Sequence, residues 1–155
     1  MNEHSPAPHG IRMIDVGGKP VTTRTARASA RLRARPETIA RIRTGSLDKG
    51  DAVATARLAA IMAAKRTSDI VPLCHPLPLE AVEAEIGFVE PDQVVIQTVV
   101  RATARTGVEM EALAAAAAAA LAIYDMCKSI DQGMTIESIR LEEKTGGTRG
   151  AYVRA

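Results

Sequence analysis

Hydrophobic and polar residues alternate along four segments of the chain, and this two-residue period predicts β-strands with one buried face. In residues 26–34, alanine and leucine occupy the even positions, while arginine and serine occupy the odd ones. Residues 81–88 and 93–103 alternate on either side of Pro91-Asp92, which predicts a β-hairpin. Residues 135–143 supply the last strand.

Helical signals lie between these strands. Helices are predicted over residues 36–43, from residue 52 to about residue 65, and from the segment 106–109 to near residue 133. Pro36 suits a first helical position and Gly45 a stop. Thr106 and Glu109 have the spacing of a capping box, and Gly133 suits the position after the helix end. The order strand, helices, strand, strand, helix, strand predicts an α+β, ferredoxin-like fold: an antiparallel sheet with helices packed on one face and an extra helix in the first crossover.

The sequence predicts one domain. Residues 1–10 are predicted to form a disordered tail, and residues 11–155 a single domain. The first ten residues lack the apolar run of a secretory leader, and the apolar run 112–122 is too short to cross a membrane. Cys74 and Cys127 form no CxxC pair or closed zinc set, which indicates a reduced, cytoplasmic protein.

Composition narrows the class of ligand. The 155 residues include one phenylalanine, two tyrosines and no tryptophan, so aromatic stacking on RNA bases is not expected. The net charge is only +2, but arginines are concentrated between residues 24 and 43. This cluster predicts a phosphate-rich ligand, a nucleic acid or an acidic partner.

A proline-rich turn carries the only histidine outside the first nine residues. Three prolines between residues 72 and 78 restrict the backbone around His75 and exclude a helix or a central strand. Such a turn can mount a catalytic group that titrates near neutrality, or it can be a buried structural turn. The neighbouring Cys74 is interpreted as a small packing residue rather than a nucleophile.

Asp125 and Lys128 are three residues apart on the third helix and are therefore neighbours on its surface. The spacing alone favours an ordinary surface ion pair. The mostly apolar residues between them indicate instead a partly buried pair that can donate and accept protons. Glu111 lies about 21 Å before Asp125 along the same helix, and Lys49 and Lys65 are about 24 Å apart. Either a second subunit completes a composite site, or these are unrelated surface charges.

The segment from Lys144 to Gly150 contains three glycines that would let backbone amides approach an anion. It lacks the strand and helix flanks of a Walker motif. A phosphate-binding loop and a disordered tail are both consistent with it.

Several motifs in one register, from about Met13 to Gly150, resemble one family. They are Met13-Ile14-Asp15-Val16 with Lys19 and Arg24, Lys49-Gly50-Asp51, Ala63-Ala64-Lys65-Arg66-Thr67, Pro72-Leu73-Cys74-His75-Pro76, Thr106-Gly107-Val108-Glu109-Met110-Glu111-Ala112-Leu113, and Tyr124-Asp125-Met126-Cys127-Lys128. In this combination the chain resembles the MoaC family of molybdenum cofactor biosynthesis.

The resemblance implies a lyase that converts 3′,8-cyclo-7,8-dihydroguanosine 5′-triphosphate into cyclic pyranopterin monophosphate with release of pyrophosphate, by acid/base rearrangement at a dimer interface. It implies a homohexamer, a trimer of dimers, with no nucleic-acid or membrane partner. No cofactor or protein-bound metal is required, although Mg²⁺ can accompany the triphosphate. The implied catalytic residues are Asp125, Lys128, Lys49, Lys65 and Glu109, and the implied substrate-binding residues are Arg24, Cys74, His75, Met110, Glu111 and Lys144. Residues 11–155 would form the catalytic domain.

Arg105 and Thr148 depart from the resemblance, since lysine is common at both positions in the family. Arg105 keeps the charge without a lysine's ability to donate its proton, and Thr148 does not keep it. Two other functions are consistent with the sequence: a nucleic-acid-binding module that uses the arginine-rich strand, and a regulatory domain that binds a nucleotide without turnover. The scarcity of aromatic residues argues against the first, and an interior Asp125–Lys128 pair argues against the second.

Overall fold

A computed structural model describes residues 10–155, so the tail predicted over residues 1–10 lies outside it except for Gly10. The elements are β1 (Thr22–Arg33), α1 (Pro36–Thr44), α2 (Ala52–Lys65), α3 (Thr67–Ile70), β2 (Ala81–Val89), β3 (Gln93–Ala104), α4 (Glu109–Cys127), β4 (Thr135–Thr145) and β5 (Tyr152–Val153). Every predicted helix and strand is present. The short elements α3 and β5 are additional.

The strands form one antiparallel sheet in the order β2-β3-β1-β4-β5. The connection from β1 to β2 crosses over β3, and the connection from β3 to β4 crosses over β1. The helices α2 and α4 lie against the same face of the sheet and against each other. This arrangement confirms the α+β, ferredoxin-like fold.

Alternation along β1 places one face in the core. Ala26, Ala28, Ala30 and Leu32 are almost completely buried, and their neighbours on β3 include Val94, Ile96 and Val100. The helices α2 and α4 turn alanine faces inward, which lets them pack closely on the sheet and on each other. The apolar helix α4 meets the length and hydropathy criteria of a membrane span, but it is half buried inside the fold, as a core helix is.

Helix α2 begins at Ala52, where the sequence predicts it. Asp51 is the N-cap, and its carboxylate accepts a hydrogen bond from the Ala54 amide at 2.9 Å. Upstream, Gly45 ends α1 in the left-handed region at a φ of 67°, where glycine is favoured because it carries no Cβ. The cap places Lys49 in the turn immediately before α2.

The predicted capping box of α4 is wrong. The helix begins at Glu109, two residues later than a Thr106 cap would place it, and Val108 is an N-cap without a side-chain hydrogen bond. The Glu109 carboxylate lies over Gly107, where an added Cβ would meet its Oε2 at 1.9 Å. The carboxylate binds Lys144 instead of a backbone amide. Glu109 is therefore not explained by a capping role at the start of α4.

The predicted end of α4 near Gly133 is also wrong, since the helix ends at Cys127. The buried carboxylate of Asp131 draws the chain into a turn, where it accepts hydrogen bonds from the amides of Arg35 and Gly133 and from the Thr38 hydroxyl. Burial disfavours ionisation of Asp131, but these hydrogen bonds outweigh it and hold its pKa below the ordinary value. Asp131 thus fastens the turn after α4 to the start of α1.

Candidate active site

A cleft of about 440 Å³ opens where β3 leads into α4 and β4 turns back toward β5. Its basic lining residues are Arg12, Lys19, Arg24, His75, Arg105, Lys144 and Arg149. Glu109 is the one carboxylate among the described residues that line it. The volume is in the range of small-molecule sites. The charge favours a polyanionic ligand.

The cleft brings together residues that are distant in sequence. The predicted site residues that line it are Arg24, Cys74, His75, Glu109, Met110 and Lys144. Sequence reasoning did not assign Arg12 or Arg149 to the site. Arg12 immediately precedes the motif that begins at Met13, and Arg149 lies within the glycine-rich segment from Lys144 to Gly150, so their place in the sequence was the available signal.

Arg24 is the most buried cation of the cleft, at 8% exposed. Its Nε donates to the Ala104 carbonyl at 3.3 Å and its Nη2 to the Arg105 carbonyl at 3.1 Å. Neither bond supplies a negative charge, and within residues 10–155 no carboxylate forms a salt bridge with it. A buried guanidinium that is only partly compensated favours an anionic ligand nearby.

The glycines of the loop after β4 permit this placement of Arg24. Gly147 has a φ of 85°, and a Cβ there would lie 1.9 Å from Arg24 Nη1. At Gly146, with a φ of 89°, a Cβ would lie 2.2 Å from the Thr23 carbonyl oxygen. The chain then returns as β5, which pairs with β4. The segment after Lys144 is therefore a tight hairpin and not a disordered tail.

Lys144 and Glu109 form an ion pair in the lining of the cleft. Lys144 Nζ lies 3.0 Å from Glu109 Oε1, and about a quarter of each side chain is exposed. This ion pair joins the end of β4 to the first turn of α4. Because the pair is only partly exposed, an anion that binds Lys144 would change the environment of the Glu109 carboxylate.

Arg105 holds one wall of the cleft. Its Nη1 donates to the Gly17 carbonyl and, at 3.4 Å, to the Lys19 carbonyl. The Lys19 amide in turn donates to the Val16 carbonyl at 3.0 Å, which closes a turn. The arginine that departs from the family pattern thus fixes the segment that carries Lys19.

Cys74 and Glu111 meet directly behind the cleft wall. The Cys74 thiol donates to Glu111 Oε1 at 3.6 Å, and Glu111 is 2% exposed. Burial, reinforced by Glu111, raises the pKa of Cys74 to about 11, which makes it a poor nucleophile and agrees with the packing interpretation. Glu111 itself does not line the cleft. It contacts a residue that does.

A second charged cluster lies at the opposite end of α4. Asp125 accepts from Lys128 Nζ at 2.7 Å and from Lys49 Nζ at 2.8 Å. Asp125 is 54% exposed and Lys128 is 57% exposed, so the expectation of a partly buried pair is wrong for the single chain. The reason is that the buried face of α4 runs through Ile123, Met126 and Cys127 and leaves both charged residues at its margin.

Asp125 and Lys128 are both charged near neutral pH. Hydrogen bonds from Lys128 and Lys49 lower the pKa of Asp125 to about 2. The same bond to Asp125 raises the pKa of Lys128 above its ordinary value. The mutual effect predicted for this pair is present, and it stabilises the ion pair rather than bringing either pKa toward neutrality.

One chain does not bring all the predicted site residues together. Glu109 and Asp125 are at opposite ends of α4, about 24 Å apart along its axis. Lys65 is exposed and borders a separate shallow groove formed with Ile61 and residues 77–82. The cleft and the cluster of Lys49, Asp125 and Lys128 therefore cannot act on one small molecule within a single chain.

The outward arginines of β1 are only partly neutralised by local partners. Arg33 forms salt bridges with Asp92 and Glu137, whereas Arg31 donates to the neutral side-chain amide of Gln93 at 3.0 Å. The charge of Arg33 is neutralised locally, which weakens the nucleic-acid interpretation. Across residues 10–155, no group of three or more histidine, cysteine or acidic side chains is arranged to hold a metal ion.

Comparison with known proteins adds to this geometry. The sequence model of the MoaC family matches residues 13–147. The cyclic pyranopterin monophosphate synthase of Desulfitobacterium hafniense is 50% identical over 143 residues, covering 92% of this chain and 88% of the relative. Cyclic pyranopterin monophosphate synthase 1 of Mycobacterium tuberculosis is 53% identical over 144 residues, covering 93% and 85%. The synthase of Herpetosiphon aurantiacus is 54% identical over 142 residues, covering 90% and 86%.

Proposed function

The chain belongs to the MoaC family, and from this premise we propose that it is a cyclic pyranopterin monophosphate synthase, a lyase of molybdenum cofactor biosynthesis. It converts 3′,8-cyclo-7,8-dihydroguanosine 5′-triphosphate into cyclic pyranopterin monophosphate and pyrophosphate. The observation that carries this proposal is a cleft with six arginine and lysine side chains around one carboxylate. A triphosphate substrate supplies the negative charge that this lining lacks.

The phosphates bind on the basic wall. Arg24 is held rigidly by backbone carbonyls, so its guanidinium is preorganised for an anion. Lys144 lines the cleft and can exchange its ion pair with Glu109 for one with a phosphate oxygen. His75, on the proline-rich turn, also binds the phosphates. These cations stabilise the negative charge on the departing pyrophosphate and on the cyclic phosphate as it forms.

The protons move at the second cluster. Ring opening and pterin formation need a proton donor and a proton acceptor, and the Lys128 ammonium and the Asp125 carboxylate supply these two groups. Lys49 holds the other oxygen of the Asp125 carboxylate. A carboxylate fixed between two ammonium groups keeps one orientation, which favours directed proton transfer.

The active site is composite in this proposal. A second chain, related by a two-fold axis, brings its Lys49, Asp125 and Lys128 to the cleft of the first, because about 24 Å separate the two clusters within one chain. Asp125 and Lys128 are each about half exposed in the single chain, so a partner chain can reach them. Contact with the partner would remove water from the cluster.

A trimer of such dimers gives the proposed hexamer. Apolar side chains that are available for subunit contacts lie on the outer face of α2 and α3: Leu58, Ile61, Met62 and Ile70. Exposed apolar surface of this kind marks protein interfaces. The proposed enzyme is cytoplasmic and requires no redox cofactor or protein-bound metal, although Mg²⁺ can accompany the triphosphate as part of the substrate. Lys65 retains its proposed catalytic role only if a partner chain brings substrate to its groove.

The test is turnover of the cyclised GTP derivative by the purified protein. Pyrophosphate and an oxidisable pterin, detected by its fluorescence after oxidation, should form in equal amounts. Asp125→Ala and Lys128→Ala should abolish both products and leave the oligomer intact. Binding of the triphosphate without turnover would instead support the regulatory-domain function.

A further inference from the structure

One charged side chain lies in the loop that joins β4 to β5, residues 145–150. That residue is Arg149, and it lines the cleft. Among the described residues Arg149 forms no salt bridge, whereas Lys144 in the same cleft is paired with Glu109. An unpaired cation in a basic cleft is available for an anionic ligand. Three of the six loop residues are glycine, so the loop itself does little to fix the position of Arg149.

Strand β5 fixes the far end of this loop only weakly. Its two residues, Tyr152 and Val153, pair with Lys144 and Glu143. They are 40% and 70% exposed, so packing adds little to the pairing. Short, exposed segments with few backbone hydrogen bonds open at low free energy. A further contact is therefore needed to keep the loop at the cleft.

Arg154, the residue after β5, supplies that contact. Its amide donates to the Glu142 carbonyl at 2.8 Å, and its Nε donates to the Leu141 carbonyl at 2.7 Å. The same Nε lies 3.8 Å from Glu142 Oε2. Because Leu141 and Glu142 precede the loop on β4, Arg154 joins the two flanks of the loop and closes the hairpin.

Glu142 is itself firmly held. Its Oε1 accepts hydrogen bonds from the Ser29 hydroxyl and, at 2.7 Å, from Arg140 Nε. Ser29 is buried on β1, the middle strand of the sheet. Burial disfavours ionisation of Glu142, but the hydrogen bonds from Ser29 and Arg140 outweigh it and lower its pKa. Arg154 is therefore attached to a charged group that the centre of the sheet keeps in place.

We infer that Arg149 is a further phosphate-binding residue of the cleft and that Arg154 is its positioning residue. Arg154 and Glu142 hold the loop so that the Arg149 guanidinium stays at the cleft, where it binds the phosphate chain together with Arg24 and Lys144. A guanidinium suits this role, since it can donate two parallel hydrogen bonds to phosphate oxygens. The inference deepens the proposed function and rests on it for the triphosphate substrate.

A double-mutant cycle on inorganic pyrophosphate binding tests the inference. Isothermal titration calorimetry of the full-length oligomer should show roughly tenfold weaker binding in Arg149→Ala, because a charge-assisted contact is lost. Arg154→Ala should weaken binding about threefold, because the loop must then be ordered on binding. In an Arg149→Ala background the Arg154→Ala change should cost almost nothing, since the residue through which it acts is absent. Full additivity of the two losses would overturn the inference.

Arg140→Ala is the matched control. It removes the other arginine that contacts the Glu142 carboxylate, and it changes the net charge by the same amount as Arg154→Ala. Arg140 does not join the two flanks of the loop, so its loss should leave pyrophosphate affinity within about twofold of the wild type. An equal loss of affinity in Arg140→Ala and Arg154→Ala would show that only general charge is involved, and would also overturn the inference.

Hydrogen exchange separates the positioning residue from the binding residue. Arg154→Ala should speed exchange of the amides in residues 145–153, because the hairpin loses its closing contact. Arg154→Lys should return part of the protection, since an ammonium group can also donate to the Leu141 carbonyl. Arg149→Ala should leave the exchange unchanged. Wild-type exchange in Arg154→Ala would show that Arg154 does not hold the loop.

Binding and turnover together distinguish failure of this inference from failure of the proposed function. Non-additive pyrophosphate binding in a protein that does not convert the cyclised GTP derivative would reject the synthase function alone. Wild-type pyrophosphate affinity in Arg149→Ala, in an oligomer that does convert the derivative, would reject the inference alone. Failure of the wild-type oligomer to bind pyrophosphate would also overturn the phosphate-binding role of Arg149.

Discussion

Glu109 Oε1 lies 3.0 Å from Lys144 Nζ, and this pair joins the first turn of α4 to the end of β4 at the mouth of the cleft. The carboxylate is directed at a cation and not at the helix backbone. Glu109 therefore lines the cleft and does not cap α4.

The first prediction separates the two helix starts. Asp51→Ala should lower the free energy of unfolding by about 1 kcal/mol, because Asp51 caps α2. Thr106→Ala should change it by less than about 0.5 kcal/mol, because Thr106 caps nothing. Urea denaturation followed by circular dichroism measures both. If Thr106→Ala lowered the free energy of unfolding as much as Asp51→Ala does, Thr106 would be a helix cap after all, contrary to the structure.

A second prediction concerns the pKa of Asp125. The carboxylate is held ionised by Lys128 and Lys49, so its contribution to stability is complete above the ordinary aspartate pKa of 3.8 and is lost as the pH falls toward about 2. Lys128→Met and Lys49→Met should each raise the Asp125 pKa, with the larger rise in Lys128→Met. Carbon NMR titration of the carboxyl group checks this. Arg43→Met, which removes a cation that pairs with Glu90 instead, should leave the titration unchanged.

A third prediction uses two glycines of one hairpin. Gly147→Ala and Gly150→Ala each force alanine to a positive φ, of 85° and 75°, and should each cost about 1–2 kcal/mol of stability. Only at Gly147 does the new Cβ collide with the Arg24 guanidinium. Inorganic pyrophosphate, measured by isothermal titration calorimetry, should therefore bind more weakly to Gly147→Ala than to Gly150→Ala. Equal affinities would show that Arg24 does not hold phosphate.

A fourth prediction concerns the arginine at position 105. Arg105→Ala should speed hydrogen exchange of the Lys19 amide, because the 16–19 turn loses the side chain that holds its carbonyls. The KM should rise more than kcat falls, because Lys19 lines the cleft in which we propose that the substrate binds. Arg105→Lys should restore part of the protection, since one ammonium can still donate to a carbonyl. Arg101→Ala, near the end of β3 shortly before Arg105 but outside the cleft, should change neither quantity.

Alternation in the sequence was sufficient to predict the four long strands, β1 to β4, but not the two-residue strand β5. The even positions of β1 and the hairpin of β2 and β3 follow directly from the period of two, since each strand buries one face. The Gly45 stop and the start of α2 at residue 52 depend on their own local backbone, so sequence reasoning located both. The end of α4 depends instead on Asp131, whose partners Arg35 and Thr38 are distant in sequence. Local signals could not locate it.

The sequence predicted which residues belong to the candidate site better than it predicted their burial and their partners. A run of apolar neighbours suggested that Asp125 and Lys128 are partly buried, but the helical period puts both at the margin of the buried face. The capping-box spacing gave Glu109 a local partner, whereas its actual partner, Lys144, belongs to another element. Arg12 and Arg149 are brought to the cleft only by tertiary folding. Long-range pairings of this kind leave no period in the sequence.

The composite site is tested most directly by mixing two inactive variants. Asp125→Ala and Lys144→Ala remove the two clusters separately, and each homo-oligomer should have less than about 1% of wild-type turnover of the cyclised GTP derivative. Variants with different affinity tags, co-expressed and mixed at random, should form mixed dimers in which one of the two sites is intact. About a quarter of wild-type pyrophosphate and pterin formation should return, because half of the dimers are mixed. No recovery in verified mixed oligomers would contradict a site shared between two chains.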